Sequence, residues 1–185
     1  MTRRPQHTPH SNSNFVPKVV AVALCSLFAV ACSGAAVGPP SVGNPHAKRI
    51  RSLDVTLQVP IGFEEKKEGV WTLDAAGSRH AMLWVERKDT PEAGVESFVE
   101  KLAAGVGKRG TAGVIRREKV ELDDLEGHYL EAATVIGQQA SAAMQLVVGA
   151  EDGMYMVSLV ATAGAMRKNR KAFEACVKSL RIPSR

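Results

Sequence analysis

No apolar run in this chain of 185 residues is long enough to cross a membrane as a helix. The longest, Val19–Ala31, has thirteen residues and is interrupted by Cys25 and Ser26, whereas a span needs about 20. Cysteine is scarce: Cys25, Cys32 and Cys176 are the only three. Histidine is scarcer still in the region that reads as folded, where His80 and His128 stand alone. A Gly-x-Ser-x-Gly elbow is missing, which removes the sequence sign of an α/β-hydrolase serine. One sign of charge is also nearly absent in excess. The formal +5 includes Arg3, Arg4 and Lys18, which precede the apolar run. Without them, 21 basic residues face 19 acidic ones, a balance of +2 that offers no basic footprint for nucleic acid.

The short apolar run suits a secretory leader, with cations before it and small residues closing it. A plain signal could be cut after Ala29-Val30-Ala31. The next residue is Cys32, and Ala-Val-Ala-Cys resembles the lipobox of bacterial lipoproteins. That resemblance implies cleavage between Ala31 and Cys32, and acyl chains such as palmitate on Cys32. Two or more such chains hold a protein stably, at about 0.8 kcal/mol per buried methylene. Ser33 follows, and by the same resemblance it favours the outer membrane over the inner, on the periplasmic side. If Cys32 is acylated, Cys176 is left alone and no intrachain disulfide can form. If it is not, a bridge becomes conceivable. Residues 33–50, rich in Gly, Pro, Ala and Ser, read as a flexible tether. The expected division is therefore a leader over 1–31, an acylated Cys32 with tether to 50, and one domain over 51–185.

Within that domain, Val55, Leu57 and Val59 alternate with polar residues at the period of a half-buried strand. Residues 69–77 and 80–88 read as two more strands, the latter apolar on both faces. Thr90, Pro91 and Glu92 suit the start of a helix, and Val95, Phe98, Val99, Leu102 and Val106 share one helical face. Alternation resumes at 114–122 and 128–137. Apolar runs flanking Glu151-Asp152-Gly153 predict a hairpin. A last helix over about 165–180 would bury Met166, Phe173, Cys176, Val177 and Leu180. Strands in hairpins around two helices give an α+β class. The expected sheet is mostly antiparallel, of about six to seven strands, with helices packed on its faces.

The stretches "VTLQVPIGFE", "LEGHYLEA", "DGMYMVSLVAT" and "FEACVKSLRI" together resemble the PsbP-like superfamily over about residues 53–183. That superfamily includes a photosystem II extrinsic protein, a Ran-binding import factor and bacterial lipoproteins of the DcrB and LpqN types. The resemblance implies an antiparallel sheet with helices on its faces and a domain that binds or assembles other components. It carries no catalytic residue to transfer.

The search for chemistry yields little. Ser78 and His80 lack a third partner. Asp124, Glu126 and His128 fall on one strand face at metal-ligand spacing, but Asp123-Asp124 reads more simply as turn chemistry. Gly105-x-Gly107-x-x-Gly110 follows a helix rather than opening one, so it does not meet the dinucleotide requirement. Trp71, Trp84, Tyr129 and Tyr155 lie on strands and suit a core, or the lining of a cavity for a small apolar ligand. Cys176 shares a helix face with Phe173, Val177 and Leu180 and reads as a small buried hydrophobe. No catalytic residue, cofactor or metal ligand is expected. The one charged cluster is Arg167, Lys168, Arg170 and Lys171, early in the last helix. It reads as a solvated face or as a patch for an anionic partner: lipid, cell wall or envelope protein. The reading is a monomeric, non-enzymatic envelope lipoprotein that binds or assembles other components. The alternatives are a carrier of apolar ligand and, last, an enzyme.

Overall fold

A computed structural model describes residues 38–107, 113–136 and 139–183. The leader and Cys32 lie outside the described residues. So does Gly110. Among the described residues, nine strands and two helices follow in chain order: β1 Pro45–Ile50, β2 Val55–Pro60, β3 Glu64–Lys67, β4 Val70–Ala75, β5 Ser78–Lys88, α1 Gly94–Gly107, β6 Gly113–Leu122, β7 Leu125–Ile136, β8 Gln139–Ala150, β9 Gly153–Thr162 and α2 Ala163–Val177. β3 to β9 form one seven-stranded sheet in the order β3-β4-β5-β9-β8-β7-β6, and every neighbour pair is antiparallel. β1 and β2 form a separate antiparallel pair. The architecture is α+β, as expected.

The middle strand explains the layering. All ten residues of β9 are buried, and a strand covered on both faces reads as a continuous apolar run. On one face of the sheet, Trp71, Leu83, Tyr129, Leu146, Tyr155, Val157 and Leu159 pack with Val55, Leu57 and Val59 of β2 and with Phe173 and Val177 of α2. On the other face, α1 lays Val99 over Leu130, Val147, Met154 and Met156. Gly149 permits that approach, because a Cβ there would sit 2.9 Å from a methyl of Val95. The sheet is therefore a middle layer with unequal covers.

Three sequence expectations are corrected. The tether does not run to residue 50: Pro45–Ile50 pairs residue for residue with β2, Ile50 is fully buried, and Val42 packs against the core. Its Pro and Gly content masked a strand that lies at the margin of the fold. Before α1 there are five strands rather than three, because β3, Glu64-Glu65-Lys66-Lys67, is wholly exposed and carries no apolar period. The helix start at Thr90 and Pro91 is also displaced. Gly94 N–H donates to the Pro91 carbonyl at 2.8 Å, and Gly94 takes φ +79°, a left-handed conformation open to glycine. Helix α1 begins only there. At α2 the local chemistry is simpler: the Thr162 hydroxyl accepts from Ala165 N–H at 3.2 Å, an N-cap that closes β9 and opens the helix.

Candidate functional site

Helix α2 buries Ala165, Met166, Asn169, Phe173, Cys176 and Val177. At 100° per residue these occupy one side, and Gly164, Arg167, Lys168, Lys171 and Ala175 cluster on the opposite pole. Arg167, Lys168 and Lys171 are all exposed. Among the described residues, Arg167 and Lys171 have no ion-pair partner. Lys168 Nζ donates to the Pro39 carbonyl at 2.7 Å, beside Asn169 Nδ2, which donates to the Pro40 carbonyl at 2.9 Å. Val42 N–H returns a bond to Asn169 Oδ1 at 3.1 Å. Residues 39–42 are thus strapped along α2 next to its cationic pole.

Arg170 does not belong with the other three. It lies toward the sheet and donates to Glu131 Oε2, a carboxylate only 1% exposed. The pairing with Glu174 that helical spacing suggests does not form, since Glu174 is bonded to Arg116 and Lys178. A buried carboxylate without a partner costs far more than an exposed i,i+4 pair returns, so Glu131 takes the guanidinium. The expected four-residue patch is a patch of three plus an internal ion pair. Two residues that matter here, Glu131 and Asn169, escaped the sequence reading. The signal existed in each case: a carboxylate inside an apolar strand, and an amide on the apolar stripe between Met166 and Phe173.

Under the second half of α2 lies a charged network. Lys178 donates to Glu118 and, at 2.7 Å, to Glu174, while Arg116 bonds Glu118 and Glu174 at 2.7 and 2.9 Å. Both cations stand over the Tyr129 ring, Lys178 at 4.6 Å and Arg116 at 5.5 Å. The hydrogen bond from Lys178 holds both Glu118 and Glu174 below the usual carboxylate range. Burial alone would lower Lys178, but its bonds to the two carboxylates outweigh that and hold it above its ordinary value. Burial, with Glu131 and Glu174 nearby, holds the Tyr129 hydroxyl above its ordinary value, and that hydroxyl has no hydrogen-bond partner among the described residues. The network satisfies charge at the sheet edge. It presents no nucleophile beside a base.

The other sequence candidates do not converge. Trp71, Tyr129 and Tyr155 are buried on the α2 face, whereas Trp84 pairs with Ser158 on the α1 face and is half-buried. The three fill the core beneath α2. Cys176 is buried and free, and burial pushes its thiol up to about 12, far from a reactive thiolate. His80 is half-buried on β5. Asp124 lies in the β6–β7 turn, Glu126 is bonded to Lys119 at 2.9 Å, and buried His128 has its Nε2 3.6 Å from Glu126. Beside them, Arg117, Glu118, Lys119 and His128 line a shallow, open depression of about 300 Å³.

Comparison with known proteins adds the fold and little more. No protein-family model matches the chain, and no curated protein matches it. Among solved structures, cyanobacterial PsbP from Synechocystis superposes at a TM-score of 0.55 with 14% identity, covering 84% of this chain and 99% of its own. A Pseudomonas aeruginosa protein described as a candidate regulator gives 0.55 at 13% identity, over 77% of this chain and 99% of its own. The Saccharomyces cerevisiae Ran-binding protein Mog1p gives 0.53 at 11% identity, over 76% and 96%. The described chain has a PsbP-like fold.

Proposed function

We propose that this protein is a non-catalytic binding or assembly module of the bacterial cell envelope, held on the periplasmic side by acyl chains on Cys32. The outer membrane is the favoured site, from Ser33. One observation carries the binding role: its three-layer α+β fold matches domains at least one of which, the yeast protein, is named for binding another protein. The partner would be a protein of the envelope. Three of the four aromatic side chains that a ligand carrier would need around a cavity, Trp71, Tyr129 and Tyr155, are instead packed under α2, which favours docking over carriage. The Ala-Val-Ala-Cys stretch supports the anchor.

Chemical crosslinking in the native host, followed by purification from membranes and intact mass, tests both parts. The expected product begins at Cys32, carries acyl mass and brings down a crosslinked envelope protein. A Cys32→Ser variant should leave the membrane fraction. A free, unacylated amino terminus would overturn the anchor, and crosslinks only to itself would overturn the binding role.

A further inference from the structure

The strap over residues 39–42 places a constraint on how an anchored domain can sit. Pro39 lies beside half-buried Gly164 at the start of α2, where a Cβ added to the glycine would sit 3.4 Å from Pro39 Cγ. The bonds from Lys168 and Asn169 fix Pro39 and Pro40 at the same place. Seven residue steps separate Cys32 from Pro39, which extend to about 25 Å at most. A single domain of this length is about 40 Å across. If Cys32 is held in the bilayer, the chain is too short to let α1, on the far face of the sheet, turn toward the membrane. The near side is the pole of α2, where Arg167, Lys168 and Lys171 are exposed and no acidic residue occurs between Ala163 and Phe173.

We infer that Arg167, Lys168 and Lys171 form a lipid-facing surface that docks on anionic phospholipid headgroups and fixes the orientation of the domain. The inference rests on the Cys32 anchor proposed above. The chemistry is that of a polybasic segment beside an inserted anchor: each cation near an anionic surface adds to the attraction, and one acyl anchor is commonly reinforced by such a patch. Asn169 is the positioning residue, because it holds the strap against the helix from the buried side. With the lipid-facing pole occupied, α1, the β6 edge and the exposed turn residues are left toward the periplasm for a protein partner.

Full-length acylated protein in vesicles decides the matter. Two vesicle types are needed, pure phosphatidylcholine and phosphatidylcholine with 30% phosphatidylglycerol, with lysine acetylation read by mass spectrometry. On anionic vesicles, Lys168 and Lys171 should be labelled several-fold less than on neutral ones, while Lys101 on α1 is unchanged. Added salt at 0.5 M should erase the difference, since screening shortens the reach of surface charge to a few ångströms. Asn169→Ala should weaken the protection of Lys171 while the protein still floats with the vesicles. Equal labelling on both vesicle types, in protein that floats with neutral vesicles, overturns the docking surface and leaves the anchor standing. Failure to float with neutral vesicles overturns the anchor, and the docking surface with it.

Discussion

Helix α2 buries six residues against the sheet and the β1–β2 pair, among them Phe173 in edge contact with Phe63 at 5.8 Å between ring centroids. Helix α1 buries only Val99 completely, and its Val95, Phe98, Leu102 and Ala103 remain partly exposed. The two helices look alike as amphipathic sequences, yet one closes a core and the other shields part of a sheet face. The difference comes from what lies beyond each helix. The α2 face has a second cover, β1–β2, that seals its margin, while α1 covers its face alone. Stability should concentrate on the α2 side, and the α1 side should open first.

Truncation makes this contrast quantitative and gives the largest expected effect. Phe173→Ala should cost about 3–5 kcal/mol, the range for a buried ring replaced by a cavity. Val99→Ala should cost about 2 kcal/mol, and Leu102→Ala about 1 kcal/mol, because that side chain is only partly buried. Urea midpoints at constant slope measure all three. Equal losses at Phe173 and Leu102 would break the asymmetry between the faces.

Much of this was readable in advance, and the failures share a cause. Val55-Leu57-Val59, the Asp152-Gly153 hairpin and the apolar stripe of Phe173, Cys176 and Val177 were legible because each is a local period with one buried face. β1 and β3 were not, since Pro45–Ile50 and Glu64–Lys67 are short margin strands whose side chains, buried Ile50 and half-buried Lys48 apart, face solvent. Pairing with a neighbour's backbone makes them strands, and backbone pairing leaves no mark in side-chain pattern. The start of α1 failed for a related reason: Thr90-Pro91-Glu92 has good capping chemistry, but packing on β8 places the helix. At the basic cluster, sequence supplied the four cations. Separating Arg170 from the others required knowing that Glu131, 39 residues away, is buried across from it.

A second test compares the two ends of α2, where charge is handled differently. At its C-terminal end, Lys178 is shared by Glu118 and Glu174, whose pKa values lie below the usual carboxylate range. A carboxylate depressed in the folded state stabilises above its unfolded pKa, and that contribution is lost as pH falls through the folded value. Stability should therefore drop below about pH 4.5, the ordinary value for these groups. Replacing Lys178 by Met removes the largest cause and leaves the bonds from Arg116. The variant should lose about 1 kcal/mol near neutral pH, as partly exposed pairs do, and its acid limb should flatten. Denaturant midpoints at pH 7 and pH 3.5 measure the difference, and an unchanged acid limb would place the acid sensitivity elsewhere.

At the N-terminal end of α2 the effect should be smallest and should reverse in sign. Helix α1 has Glu96 in its first turn, and α2 has no acidic residue there. Anions near a helix start are favoured by the macrodipole and cations are disfavoured. Arg167 also stands four residues before Lys171, a like-charge spacing that costs some tenths of a kcal/mol. Arg167→Glu removes that repulsion and sets a carboxylate four residues N-terminal to Lys171, the better orientation for an attractive pair. Because Arg167 has no partner among the described residues, nothing is lost in exchange. The substitution should raise stability by some tenths of a kcal/mol in the absence of membranes. Glu96→Lys in α1 should lower it by a similar amount. Paired thermal scans at low ionic strength separate the two, and 0.5 M salt should shrink both shifts. A destabilised Arg167→Glu variant would mean that Arg167 holds a contact within the fold, and the cationic pole would then lose its claim to be free for a partner.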